Sequence, residues 1–125
     1  MILEESAVDL ATSTGPMRTH VSRPVASGRR PGVVLFSEIF QRTAPIRRMA
    51  AMLAGHGFVV LVPEIFHELE PLGSVLAYDP AGTERGNQHK IGKPVSAYDA
   101  DARACLDHLQ TRADCDGSAN IILPS

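Results

Sequence analysis

Long apolar runs, an excess of either charge, a cysteine framework and internal repeats are all missing from this sequence. No stretch nears the roughly 20 apolar residues that a membrane-spanning helix needs. The formal net charge is only -2, which gives no electrostatic reason to expect nucleic acid or an anionic membrane as partner. Cys105 and Cys115 are too few and too far apart for a disulfide framework or a Cys-x-x-Cys site, so a reducing compartment is the default. The N-terminus carries Glu4, Glu5 and Asp9 in place of a basic segment followed by an apolar core, and does not read as a secretory signal. A cytoplasmic location is the expectation, reached by elimination.

What is present is a globular composition. Hydrophobic residues at 44% and charged residues at 21% of 125 residues leave room for one domain at most. The organising stretch is Gly32 to Phe40, Gly-Val-Val-Leu-Phe-Ser-Glu-Ile-Phe. Its first half is a short run rich in β-branched residues, which suits a strand buried on both faces. The run then stops at Ser37 and Glu38, where such a strand leaves its sheet. Ligands of open α/β sheets bind beyond the carboxyl ends of the strands, so a carboxylate there is a functional candidate. The plainer reading of Glu38 is a solvated charge or a surface partner for Arg42 or Arg47.

Upstream, Ala7 to Thr12 and Met17 to Pro24 alternate around the turn residues Ser13-Thr14-Gly15-Pro16, the pattern of an antiparallel hairpin. Downstream, Thr43 is placed to cap a helix with Pro45 in its first turn. Ile46, Met49, Ala50, Leu53 and Ala54 share one face of that helix, and Gly55 and Gly57 end it. Phe58 to Val62 is a second continuous apolar strand closed by Pro63. Two buried strands around an amphipathic helix make a right-handed βαβ unit, hence a mostly parallel sheet. Glu64 to Lys93, with its many glycines and prolines, reads as a long irregular loop. Ser96 with Asp99 has the form of a capping box opening a helix whose apolar face is Tyr98, Ala102, Cys105 and Leu109. Asn120 to Leu123 is long enough for one last short strand.

Two apparent motifs fail on their own chemistry. His67-Glu68-Leu69-Glu70-Pro71 suggests a zinc-protease helix, but Pro71 stands where the second histidine belongs and opposes a helix. Gly86 to Lys93 suggests a phosphate loop, yet its glycine spacing is one residue too long and Pro94 replaces the hydroxyl residue. The histidines His20, His56, His67, His89 and His108 are scattered and read as surface or internally satisfied groups, with no metal site expected.

Taken together, Ser-Glu-Ile-Phe after a strand, a helix containing Ile46-Arg47-Arg48, and the tandem Gly-Phe-Val-Val-Leu-Val-Pro-Glu-Ile-Phe resemble the dienelactone hydrolase family of α/β-hydrolases. The likeness runs from Met17 to Leu109 and is weaker between Leu69 and Lys93. It implies a partial α/β-hydrolase fold: a three-layer α/β sandwich with a mostly parallel sheet and an N-terminal antiparallel hairpin. The implied activity is hydrolysis of a small lactone or carboxylic ester through a covalent acyl-enzyme, without metal or cofactor. The implied site residues are Glu38, a carboxylate that holds and activates the nucleophile, and Ile39, whose backbone N–H contributes to the oxyanion hole. Arg85 is the counterpart of a substrate-binding arginine. Gln41 stands where that family more often has glycine, a departure that bears on substrate preference.

The nucleophile itself is missing. Such enzymes carry it on a Gly-x-(Ser or Cys)-x-Gly elbow with the acid and histidine later in the chain, and no such pentapeptide occurs. Cys105 lies on an apolar helix face and Cys115 in a polar turn, neither flanked by glycines. The expectation is therefore a single partial domain over residues 1–125, lacking the elbow and the C-terminal half and inactive alone. The alternative is a truncated or frame-shifted non-catalytic product, or a half-domain that binds a partner. In that topology one side of the Val33 strand is left with at most a short strand beside it, so a homodimer or aggregate through an exposed sheet edge is also expected.

Overall fold

The structure is a computed structural model that describes residues 1–123. Alternation in the first two segments builds β1 (Leu3–Thr12) and β2 (Gly15–Pro24), paired antiparallel from Leu3 opposite Pro24 to Thr12 opposite Gly15. The turn closes on Gly15, whose φ of 111° lies in the region that favours glycine. The organising stretch forms β3 (Arg30–Leu35), followed by α1 (Ala44–Gly55) and β4 (Val59–Pro63). Then come α2 (Pro80–Gly92), α3 (Val95–Thr111) and β5 (Cys115–Ile122). The strand order is β1-β2-β4-β3-β5. β4, β3 and β5 are parallel, and the hairpin joins antiparallel through β2, so the sheet is mixed.

Burial follows the period of two along the central strands. Val33, Leu35, Val60 and Val62 face one side, where Ile46, Ala50 and Ala54 of α1 cover them. Val34, Val59 and Leu61 face the other, where Cys105 and Leu109 of α3 join Met17 and Val21. That gives the three layers expected. Gly32 sets the spacing of the second: a Cβ there would stand 2.8 Å from Leu109 Cδ1 and 2.9 Å from Cδ2. No described helix is long and apolar enough to cross a membrane.

Four local expectations are corrected. Pro80–Gly92 is a helix rather than part of an irregular loop. Its start signal is complete, with Asp79 accepting the Gly82 N–H at 2.7 Å and Pro80 at the first helical position. Only Gly82 and Gly86 are buried on it, so it shows no apolar stripe for periodicity to detect. The Ser96 and Asp99 capping box does not form, because the N-cap is Pro94 and Ser96 already lies within α3. Thr43 does precede α1, but its side chain caps nothing and its carbonyl receives the Arg47 N–H at 3.0 Å. The last strand is longer than Asn120 to Leu123, and it pairs with Gly32 to Leu35, so β5 rather than β3 forms the sheet edge.

The Gly32 contact gives a stability prediction. Gly32→Ala overpacks the β3–α3 interface and lowers unfolding free energy by about 1–3 kcal/mol. Gly55→Ala, on a helix end with nothing within 4 Å of the new Cβ, serves as the neutral control. Equal denaturation midpoints for the two variants would show that Leu109 repacks freely.

Candidate active site

Beyond Leu35 the chain leaves the sheet, and its backbone groups need other partners. Ser37 is buried, Glu38 is exposed and Ile39 is half-buried. Gln41 is 1% exposed and has a φ of 67°, a left-handed conformation that glycine adopts with less strain. Its amide offsets that cost by bridging two other loops. Gln41 Nε2 donates to Ser74 O at 2.9 Å, and Phe66 N–H donates to Gln41 Oε1 at 3.1 Å. The position that departs from the family habit is thus a bracket behind the loop, not a cavity-lining residue.

The loop opens onto a cavity of about 970 Å³ at the carboxyl ends of β3, β4 and β5. Its floor includes Phe36, Ile65 and Phe66, and one wall is the α2 face bearing Thr83, Asn87 and Ile91. Glu38 and Ile39 both line it. Among the described residues the Glu38 carboxylate has no ion-pair or hydrogen-bond partner. Arg42 and Arg47, the surface partners considered for it in the sequence, are engaged by Glu5 instead, at 2.6 Å and 3.1 Å. The Ile39 N–H likewise donates to no acceptor among the described residues. A free carboxylate and a free N–H adjacent in sequence at a cavity wall are suited to act on a nucleophile and on developing oxyanion charge.

Other residues singled out in the sequence lie elsewhere. The Arg85 guanidinium sits 2.6 Å from Glu70 Oε2 and does not line the cavity. Both cysteines are buried, and burial pushes their thiols up, to about 12 for Cys105 and about 11 for Cys115. Neither forms thiolate at neutral pH, so neither substitutes for an elbow nucleophile.

Sequence reasoning missed a set of buried charges around the cavity. Glu64 accepts the Gly73 N–H at 2.8 Å and pairs with His20 Nε2 at 2.8 Å. Glu70 accepts from Ser74 Oγ at 2.9 Å and meets both Arg85 and His89 Nε2. Burial pulls the Glu70 carboxyl upward, but the bonds from His89, Ser74 and Arg85 outweigh it and hold the group below its usual range. Lys93, 5% exposed, donates through Nζ to Ile65 O at 2.5 Å, to Glu68 Oε1 at 3.1 Å and to Asp101. Its ammonium also lies 4.8 Å from the Tyr98 ring centroid. Burial raises the Asp101 carboxyl above its usual range, against the pull of Lys93.

Donor atoms of His67, Glu68 and Asp101 lie within 4.8 Å of one another, a spacing able to hold a metal ion. The Lys93 ammonium already bonds two of the three and supplies the cation there. The available signal was Asp101 itself, a charge in the buried register of α3 with Ala97, Cys105 and Leu109. The pair predicts an asymmetric cost. Asp101→Ala, which strands a buried ammonium, lowers stability by about 3–5 kcal/mol, whereas Lys93→Met combined with Asp101→Leu costs far less. Equal losses in denaturant titrations would mean that the two groups do not act as a pair.

Burial lowers the pKa of His20 and of His108, with Arg42 and Arg112 respectively adding repulsion, although Glu64 and Glu5 partly oppose this at His20 and Asp114 at His108. A histidine depressed in the fold contributes stability that is full above its unfolded value of about 6.5 and is lost as pH falls through the folded value. The melting temperature therefore declines as pH is lowered from about 7 toward 5, before the carboxylates titrate. His20→Gln with His108→Gln flattens that limb; an unchanged slope would assign it to other groups.

Comparisons with known proteins bear on the family and the fold. A model of the dienelactone hydrolase family matches residues 17–121. A Saccharomyces cerevisiae protein described as a carboxymethylenebutenolidase is 40% identical over 123 residues, which is 94% of this chain and 44% of the yeast protein. A solved structure described as a dienelactone hydrolase from Klebsiella pneumoniae superposes with a TM-score of 0.79 at 21% identity, over 98% of this chain and 50% of that one. A dienelactone hydrolase-like promiscuous phosphotriesterase from metagenomic libraries gives 0.76 at 26%, over 98% and 49%. The chain thus spans about half the length of these relatives.

Proposed function

The chain belongs to the dienelactone hydrolase family, and from that premise we propose that it supplies one half of an active site hydrolysing small lactones or carboxylic esters. The observation that carries this reading is the unpaired Glu38 carboxylate beside the unpaired Ile39 N–H at the cavity wall. In it, Glu38 holds and activates a nucleophile as base or charge partner. The Ile39 N–H stabilises the oxyanion that develops as the nucleophile adds to the carbonyl. The nucleophile, its acid and its histidine come from the part of the family's length that these residues do not cover. Arg85 reaches a substrate only by releasing Glu70. The reading needs no metal or cofactor, and the location it assumes is cytoplasmic.

Without a nucleophile, the two supporting groups leave at best a residual rate. The purified chain therefore gives no turnover of p-nitrophenyl acetate or a dienelactone above buffer, and a rate abolished by Glu38→Ala would reveal an overlooked nucleophile. Reading the nucleotides beyond Ser125 in all frames for a Gly-x-Cys-x-Gly or Gly-x-Ser-x-Gly pentapeptide tests where the other half lies. In a full-length version, Glu38→Gln lowers kcat/KM by about 100-fold or more with little change in melting temperature. The opposite pattern would make the glutamate structural.

The second reading, a non-catalytic half-domain, is favoured by the β5 edge. The β5 backbone there has no partner strand on its outer side among the described residues, while Ile121 and Leu123, 42% and 69% exposed, line the open cavity. On this reading the 125-residue chain is dimeric or aggregated, and a monodisperse monomer in size-exclusion chromatography with light scattering would refute it.

A further inference from the structure

Helix α2 is built against its own interest. Interior glycines cost a helix about 1 kcal/mol each relative to alanine, yet Gly82 and Gly86 lie four apart on its one buried face. Each is required by a close approach. A Cβ at Gly82 would stand 2.0 Å from Ala77 O. A Cβ at Gly86 would stand 2.9 Å from both Ile39 Cβ and Ile39 O, so α2 lies directly against Ile39, a residue of the cavity wall. One turn apart on the same helix, Arg85 and His89 both reach Glu70, a side chain 3% exposed and fixed further by Ser74.

We propose that Gly86 is a positioning residue for the Ile39 backbone donor, and that Glu70 is the clamp that presses α2 onto it. The inference rests on the hydrolase reading for its purpose but on contacts alone for its geometry. Two backbone bonds bracket Ile39 and report on its position: Gln41 N–H to Glu38 O at 3.2 Å and Leu76 N–H to Phe40 O at 3.1 Å. Arg85 acquires a role different from substrate binding, as half of the latch.

The test uses the 15N-labelled 125-residue chain and no substrate, so its failure is distinct from a failure of the hydrolase reading. Amide exchange is measured by NMR in wild type, Gly86→Ala, Glu70→Gln and, as control, Gly92→Ala, where the new Cβ meets nothing within 4 Å. In Gly86→Ala and in Glu70→Gln, exchange at Gln41 and Leu76 accelerates by about tenfold or more, while Val34 and Val60 in the sheet keep their protection. Gly92→Ala leaves all four unchanged. The proposal is overturned if Gly86→Ala matches the control. It is also overturned if Glu70→Gln loosens α2 while Gln41 and Leu76 stay protected, or if those two amides are already unprotected in wild type. Should Gly86→Ala fail to fold, the isosteric Glu70→Gln decides alone.

Discussion

Backbone that leaves a parallel sheet at its carboxyl end loses its ladder of hydrogen bonds, and every loop around this cavity depends on buried polar side chains to replace them. Gln41 serves Ser74 and Phe66, Glu64 serves Gly73, and Lys93 serves Ile65. These anchors come from distant parts of the chain, so the loops hold one another in place in addition to being pinned to the core by Phe36, Ile65 and Phe66. The electrostatic cost is contained by pairing Lys93 with Asp101 and Glu68 and Glu70 with Arg85, and by hydrogen bonds from His89 to Glu70 and from His20 and the Gly73 N–H to Glu64. Removing any one member leaves a charge or a backbone group without a partner in a dry setting, which is costlier than losing an exposed ion pair.

The hairpin contributes to the same arrangement from the opposite edge of the sheet. Glu5 on β1 engages Arg42 just after the site loop and Arg47 in the first turns of α1. Its carboxyl is held below its ordinary range because these arginines outweigh the effect of burial. Both guanidinium groups are thereby engaged by Glu5 and neither is bonded to Glu38, while Lys90 and Lys93 line the same cavity.

The central βαβ unit was legible because Val33 to Leu35 and Val59 to Val62 are β-branched runs with turn residues at their ends, and α1 repeats its apolar face at helical spacing. Glu38 stood out in the sequence as a charge shortly past a strand end, and Ile39 only through the family resemblance; the structure places both at the cavity wall. α2 was not, since its reasons for being a helix are Asp79 and Pro80 at its start and two glycines that serve a neighbour, none of which makes an apolar period. Gln41 read as a departure touching substrate preference because a positive φ leaves no trace in sequence unless glycine occupies it. Lys93 and Asp101 lie only 8 residues apart, but each reads as an ordinary charge, and only the turn between α2 and α3 aims the Lys93 ammonium back at Asp101.

The way α2 is fastened has a consequence for the cavity. No α2 residue belongs to either hydrophobic cluster, and the helix is held by two glycines and a latch on Glu70. Positions 83, 87 and 91, which face the cavity, are therefore separate from the positions that fix the helix. Residues that hold the fold and residues that line the cavity are separable here, so the cavity can be reshaped by rewriting one face of one helix while the sheet and its two covering layers stay as they are.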